Sequence, residues 1–270
     1  MNIDLKTQWE KTIQSRFYAS DLSLDLENRI PGKEEFKLLL QSKEIFECEQ
    51  LFLSDNRLKD EDVILLCDTF KGEKLKSLYL NNNQIGDKAA EALANSELAQ
   101  NLKCLMLEGN RIGPNGVRAL AESPSFQHLE TIFLDSNPVT AEGVKSLSTS
   151  DNLPQLRNLH LDSADIGDEG AQYIAASERF SGLEKLYLCS NKIGDAGAIA
   201  LANSPYLSNL KALSFWRNEI RDEGGKAIAE SKTFGKLERL YMSLNLIDRP
   251  VRKIIRQSEL SARLKTLVMD

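Results

Sequence analysis

The chain has 270 residues, 41% hydrophobic and 27% charged, with a formal net charge of −6. The negative excess argues against a nucleic-acid ligand, whose phosphates need a basic surface, and suits a basic protein partner. No apolar run approaches the roughly 18 residues of a membrane-spanning helix, and the opening MNIDLKTQWEKTIQSRF lacks the apolar core of a secretory signal. We therefore expect neither membrane insertion nor signal-peptide export.

In chain order, Leu5, Trp9, Ile13 and Phe17 recur every four residues, the stripe of an amphipathic helix. We expect residues 1–20 to form an N-terminal capping helix over the first open edge of the repeat stack. The alternative is a docking helix that recruits a ligase. Residues 21–47 read as a degenerate repeat. Leu24 and Leu26 take strand positions, Gly32 a turn, and Phe36, Leu39 and Leu40 a helix. Asn28 and Ile30 arrive one residue early, which predicts a remodelled turn.

From residue 48 the chain keeps one beat. Leu75, Leu102, Leu129, Leu156, Leu183, Leu210, Leu237 and Leu264 are each 27 residues apart, and Cys48 extends the series back one step. Such a period marks a solenoid, in which each unit buries its apolar face only against its neighbours. Residues 48–270 thus hold nine copies, the last one truncated after its strand. Copies are counted from Cys48 and positions from each leading residue.

Each copy follows LxxLxLxxNxIG and then about fifteen helix-like residues. Apolar positions 4 and 6 alternate with position 5, the period of a strand with one buried face. Position 9 is Asn56, Asn83, Asn110, Asn137, Asn191, Asn218 and Asn245, with Ala164 breaking the rule in the fifth copy. Asparagines at a strand exit can bond backbone groups that the sheet leaves unpaired, so we expect a structural ladder. Gly86, Gly113, Gly167 and Gly194 are expected at positive φ, and Asp87, Asp168, Asp195 and Asp222 as helix N-caps. Helical spacing comes next, as in Val117, Leu120 and Ala121. Near the end, Arg249, Arg252, Lys253, Arg256, Arg263 and Lys265 make a locally basic stretch, read as a capping helix with a partner contact as the alternative.

This pattern resembles the leucine-rich repeat, and the NxIGDxGAxxLA copies resemble its ribonuclease-inhibitor-like subclass. The resemblance implies an α/β fold: a right-handed solenoid bent into a horseshoe arc, with parallel strands on the concave face and helices on the convex face. The regular period also resembles bacterial leucine-rich repeat effectors of the Legionella type. That likeness implies a cytoplasmic protein, with delivery into a host cytosol as one route. Cys48, Cys67, Cys104 and Cys189 lie far apart with no CxxC pair, which also suits a reducing setting.

If shared residues build the frame, unshared ones carry specificity. Positions 3, 5, 7 and 8 should face the open concave side. Position 5 reads Phe52, Tyr79, Met106, Phe133, His160, Tyr187, Ser214, Tyr241 and Val268, an aromatic stripe expected to stand exposed. Position 7 places Glu108, Asp135 and Asp162 in three consecutive copies, expected as an acidic row that steers a basic partner. Trp216 and Arg217 fall side by side in the seventh copy and are interface hot-spot types.

We expect these residues to bind a protein partner carrying a basic patch, with the chain itself a monomer. By analogy with ribonuclease inhibitor, the resemblance implies that binding could cover the partner's active site. The alternatives are a GTPase-activating regulator using Arg57, Arg111 or Arg217, and a substrate adaptor for a ubiquitin ligase. No phosphate-binding loop, dinucleotide glycine pattern or hydrolase elbow appears, and two histidines are few for a metal site. We expect no enzyme activity, cofactor or metal.

Overall fold

Alternation of apolar residues over so few positions can support only short strands, and each copy contributes three residues, positions 3 to 5. The computed structural model describes residues 3–70 and 73–270, with side chains of the first helix described from Lys6 onward. Leu5 of the predicted stripe lies outside the described side chains. After α1 (Ile3–Ser15), β1 (Phe17–Tyr18), β2 (Ser23–Asp25), α2 (Lys33–Leu39) and α3 (Lys43–Glu47), strand and helix alternate: β3 (Gln50–Phe52), α4 (Asp60–Thr69), β4 (Ser77–Tyr79), α5 (Asp87–Ala94), β5 (Cys104–Met106) and α6 (Pro114–Glu122). The series continues through β6 (Thr131–Phe133), α7 (Thr140–Thr149), β7 (Asn158–His160), α8 (Gly167–Ala176), β8 (Lys185–Tyr187) and α9 (Asp195–Ala202). It closes with β9 (Ala212–Ser214), α10 (Asp222–Glu230), β10 (Arg239–Tyr241), α11 (Arg249–Arg256), α12 (Glu259–Arg263) and β11 (Thr266–Val268).

The eleven strands form one sheet in sequence order. Only β1 and β2 pair antiparallel; every other pair is parallel and in register, so that Leu78 lies opposite Leu105 and Leu186 opposite Leu213. In the complete copies the leucines at positions 4 and 6 and the Ile, Val or Leu at position 11 are buried between the sheet and the helix layer. A helix needs about 10 Å of lateral room and a strand about 4.8 Å, so the stack bends with its strands on the inner, concave side.

The asparagine ladder forms as expected. Asn83 Oδ1 accepts the backbone N–H groups of Asn56 and Leu58 at 3.1 and 2.9 Å. Its Nδ2 donates to the carbonyls of Leu53 and Leu80 at 3.1 and 3.0 Å. Where Ala164 removes a rung, the backbone repairs it. The Val139 N–H donates to the Asn137 carbonyl at 2.8 Å, and Thr140, at φ +59°, donates to the Ala164 carbonyl at 3.0 Å.

The aspartates behave differently from expectation. None of the four is an N-cap: Asp87, Asp195 and Asp222 are the first residues of their helices and Asp168 the second residue of α8. Their carboxylates instead cap the next copy. Asp168 Oδ1 accepts from Gly194 and Gly197 at 2.7 and 2.8 Å, and Asp195 Oδ1 from Arg221 and Gly224 at 2.8 Å each. This arrangement needs the helices close together. A Cβ on Gly197 would lie 2.7 Å from Asp168 Oδ1 and 2.9 Å from Ala171 Cβ. A serine row locks the other helix ends: Ser150, Ser177, Ser204 and Ser231 each donate to a carbonyl of the preceding copy at 2.5 to 2.6 Å.

Positive φ is also displaced. Gly86, Gly113 and Gly194 have φ of −126°, −93° and −98°, and of the four expected glycines only Gly167, at +58°, is left-handed. Position 8 is left-handed in every complete copy, at Asp55, Asn82, Gly109, Ser136, Ser163, Ser190, Arg217 and Leu244, and position 10 joins it at Arg57, Asp165 and Lys192. Asn28, at φ +49°, holds position 8 in the degenerate repeat, so it is in register rather than early. Ile30 is early, since Asn56 Oδ1 accepts from the adjacent Arg29 and Ile30, both at 2.9 Å.

At the N-terminal end, Trp9 and Ile13 of α1 are buried and Trp9 Nε1 donates to the Glu35 carbonyl at 2.8 Å. β1 covers the edge of β2. At the other end the basic stretch is partly absorbed. Arg252 Nε donates to the Ile247 carbonyl at 2.7 Å, Arg256 to the Met269 carbonyl at 2.6 Å, and Lys265 pairs with Glu238 at 3.0 Å.

Candidate protein-binding face

With positions 4 and 6 turned into the core, position 5 must project from the concave face, and in-register pairing brings its side chains above one another. The aromatic rings stack. Phe52 and Tyr79 have centroids 4.0 Å apart, Phe133 and His160 3.7 Å, and His160 and Tyr187 4.4 Å. These separations are below the usual strand spacing of about 4.8 Å, as expected where side chains converge on the inside of a bend. Met106 fills the gap between Tyr79 and Phe133 in the pairing order.

Stacking changes what the stripe offers. Phe52, Tyr79, Met106, Phe133, His160, Tyr187 and Tyr241 are half-buried rather than fully exposed, and Ser214 is buried. Where rings stack, from Phe52 to Tyr79 and from Phe133 to Tyr187, the facing ring surfaces are consumed and a partner meets mainly edges and hydroxyls, whereas Tyr241 pairs with Ser214 and stacks on no ring. Ring edges carry the positive side of the aromatic quadrupole, which leaves little cation–π capacity.

The acidic row is likewise split. Glu108 is exposed, Asp162 is half-buried, and Asp135 is only 7% exposed, so the expectation of three free surface carboxylates fails for Asp135. Asp135 Oδ1 accepts the Asp162 N–H at 2.7 Å, and Asp162 Oδ1 accepts the Cys189 N–H at 2.6 Å. Asn81 and Ser54 make the same bond at position 7, to Glu108 and Asn81. Two of the three carboxylates therefore also serve the frame. Burial, reinforced by the neighbouring Asp162 and Glu108, pushes the Asp135 carboxyl up to about 7, against the opposing pull of the Asp162 N–H.

His160 sits between Phe133 and Tyr187, and burial, helped by Lys185, lowers its pKa to about 4. It is therefore a neutral ring at pH 7. Cys189 Sγ lies 3.0 Å from Ser214 Oγ, and burial pushes its thiol up to about 12. Neither group is poised as a base or nucleophile. Among the described residues no three His, Cys, Asp or Glu side chains converge as a metal ion would require.

Trp216 and Arg217 occupy positions 7 and 8 of the seventh copy, on the rim where the chain leaves the strand. Both are exposed, Trp216 at 38%. They follow Ser214, which lies opposite Tyr187 at the end of the ring stack, by two and three residues. Three rows escaped the sequence pattern: the cross-capping aspartates, the serines, and position 2, where Lys76–Glu49, Lys103–Glu130 and Lys211–Glu184 pair between copies at 2.6, 3.1 and 2.8 Å. Opposite charges 27 residues apart were the available signal for that last row.

Five stretches of the chain, residues 73–94, 99–121, 153–175, 183–202 and 206–229, match the family model described as Leucine Rich repeat. No curated protein matches the chain by sequence. Among solved structures, an internalin from Listeria monocytogenes is similar, with 17% identity and a TM-score of 0.55 over 87% of this chain and 74% of that one. At that identity the likeness concerns the fold. No described helix is long and apolar enough to cross a membrane.

Proposed function

We propose that this chain, a leucine-rich repeat solenoid, is a non-catalytic scaffold that holds a basic partner protein against its concave face. One observation carries this reading: a continuous row of half-exposed side chains, from Phe52 to Tyr187, lies beside the carboxylates of Glu108 and Asp162. Apolar edges supply contact area, while the carboxylates steer and orient a Lys- or Arg-bearing surface. Asp135 contributes through its field and by holding Asp162, rather than by direct contact. Helices in every complete copy, packed closely at Gly197 and its equivalents, support the ribonuclease-inhibitor-like subclass.

Glu108 and Tyr241 can be changed without touching the bonded carboxylates. The test is affinity capture with wild type and with a Glu108→Arg/Tyr241→Ser variant whose circular dichroism matches it. A basic protein recovered with wild type and lost with the variant is expected. Equal recovery would sink the concave-face reading.

A further inference from the structure

Charge divides the concave face in two. Over the third to fifth copies, positions 3, 5 and 7 supply Glu108, Asp135 and Asp162 and no cation at pH 7, since the His160 ring is neutral. Over the sixth to eighth copies the same positions supply Lys185 and Arg239 and no carboxylate. Neither cation forms an ion pair among the described residues. Glu184 and Glu238 lie within their reach but are held by Lys211 and Lys265, at 2.8 and 3.0 Å. From the fifth to the ninth copy, positions 2 and 3 therefore set Arg157, Lys185, Lys211, Arg239 and Lys265 against Glu184 and Glu238 alone. Asp162 and Asp270 stand at position 7 of flanking copies, four residues or about 13 Å further along the strand direction. In a chain of net charge −6, this strand-entry edge carries a local positive excess.

The two cations converge. Ala212 and Ser214, at positions 3 and 5 of the seventh copy, are 0% and 3% exposed. Side chains so small are hidden on an outward face only where larger neighbours lean over them. Their in-register neighbours are Lys185 and Tyr187 on one side and Arg239 and Tyr241 on the other, all half-buried. Burial raises the pKa of the Tyr187 hydroxyl, Arg239 pulls against it and Tyr241 adds to it, so these groups lie within electrostatic reach of one another. An ammonium, a guanidinium and two phenol hydroxyls thus gather above the seventh copy. All of them can donate hydrogen bonds, which is the complement of a carboxylate.

We propose that the concave face is bipolar: Lys185 and Arg239, with the hydroxyls of Tyr187 and Tyr241, hold an Asp or Glu side chain of the same partner whose basic side chains meet Glu108 and Asp162. This rests on the concave-face reading and adds to it the partner's second charge and its orientation. The carboxylates centre on the fourth copy and the cations on the seventh, three strand spacings or about 14 Å apart. The step from position 7 to position 3 adds about 13 Å along the strands, which makes a diagonal of about 19 Å. An extended chain spans that distance in about five to seven residues. A partner docked end for end would bring like charges together at both patches, and that repulsion selects one orientation.

The full chain, immobilised, is used to select from a phage-displayed library of random dodecapeptides, and enriched peptides are synthesised and titrated by fluorescence polarisation. Enriched peptides are expected to carry Lys or Arg and Asp or Glu about five to seven residues apart, in one fixed chain order. Lys185→Glu/Arg239→Glu should weaken them about tenfold or more, and so should Glu108→Arg. Exchanging the peptide's Asp or Glu for Lys should restore binding to Lys185→Glu/Arg239→Glu, a gain that a misfolded variant could not give. The milder Lys185→Gln/Arg239→Gln should weaken the original peptides by a smaller factor. Peptides that depend on only one of the two patches would overturn the bipolar face. Dependence on Glu108 alone leaves the concave-face reading standing, whereas indifference to both patches removes that reading as well.

Discussion

The middle of the rim and its far end share one backbone but use it differently. In the fourth to sixth copies, position 7 turns Asp135 and Asp162 onto the next copy's N–H groups, and position 8 carries Ser136, Ser163 and Ser190. The two aspartates there are drawn into the frame, while Ser136 and Ser163 stay exposed. In the seventh and eighth copies the same positions hold Trp216, Arg217 and Leu244, which are exposed and include two poor fits to a left-handed backbone. A carboxylate in the middle can be a structural group, while an apolar residue at the end can be surface. Residue type alone therefore does not separate frame from site; the bonds do.

The largest effect that would sharpen this contrast lies in the middle. Asn191 is fully buried, donates to the Leu161 and Cys189 carbonyls at 2.6 and 3.1 Å, and accepts from Ala164 and Ile166 at 3.0 and 3.3 Å. Its neighbour rung is already missing at Ala164. Asn191→Ala should cost about 3 kcal/mol or more in urea unfolding, because several buried groups lose their partner together. Arg217→Ser, at the far end, should stay within about 0.5 kcal/mol of wild type. Equal losses would erase the contrast.

Gly197→Ala comes next. The added Cβ would press on Asp168 Oδ1 and Ala171, so a loss of about 1–3 kcal/mol is expected. At Gly235 the nearest atom is the Lys232 carbonyl oxygen 4.0 Å away, and the same substitution should be nearly neutral. Thermal melts of the two variants side by side test whether helix crowding is confined to the frame.

Asp135 gives a pH signature of similar or smaller size. Its folded pKa, about 7, lies above the ordinary carboxylate value near 4, so the folded state holds the proton more tightly. Its stabilising contribution is present below pH 4 and is lost as pH rises through 7. Asp135→Asn keeps an oxygen for the Asp162 N–H and removes the charge. It should gain about 2 kcal/mol over wild type at pH 8 and little at pH 4. His160 works the other way. Its folded pKa, about 4, lies below the ordinary 6.5, so its contribution is present above pH 6.5 and lost as pH falls through 4. His160→Phe should flatten the stability profile between pH 4 and 6.5, and an unchanged slope would contradict the buried, neutral ring. The smallest effect is Leu244→Asn, a gain of about 1 kcal/mol from easing the left-handed strain.

The fold was largely legible in the chain itself. A 27-residue beat with leucines at positions 1, 4 and 6 specifies which side chains point inward, and equal repeat lengths force parallel strands into register. The asparagine row could be read because its residue type and place recur. Less could be read where one residue type serves two ends. Asp87 and Asp168 look like caps of their own helices, yet their carboxylates reach Gly113 and Gly194, 26 residues away. The aromatic row was visible at Phe52, Tyr79 and Tyr187, but its stacking, which hides the ring faces, was not.

Periodicity is a one-dimensional property, and burial of a repeating apolar face results from it without knowledge of any particular contact. It determined the solenoid, the inward leucines and the outward rows of this protein. Only the tertiary structure decided which outward residues were free. A side chain's nearest neighbours lie in the next copy, about 5 Å away in space but 25 to 30 residues away in sequence. Asp135 was claimed there by the Asp162 N–H, while Trp216, Arg217 and Leu244 were left at the surface.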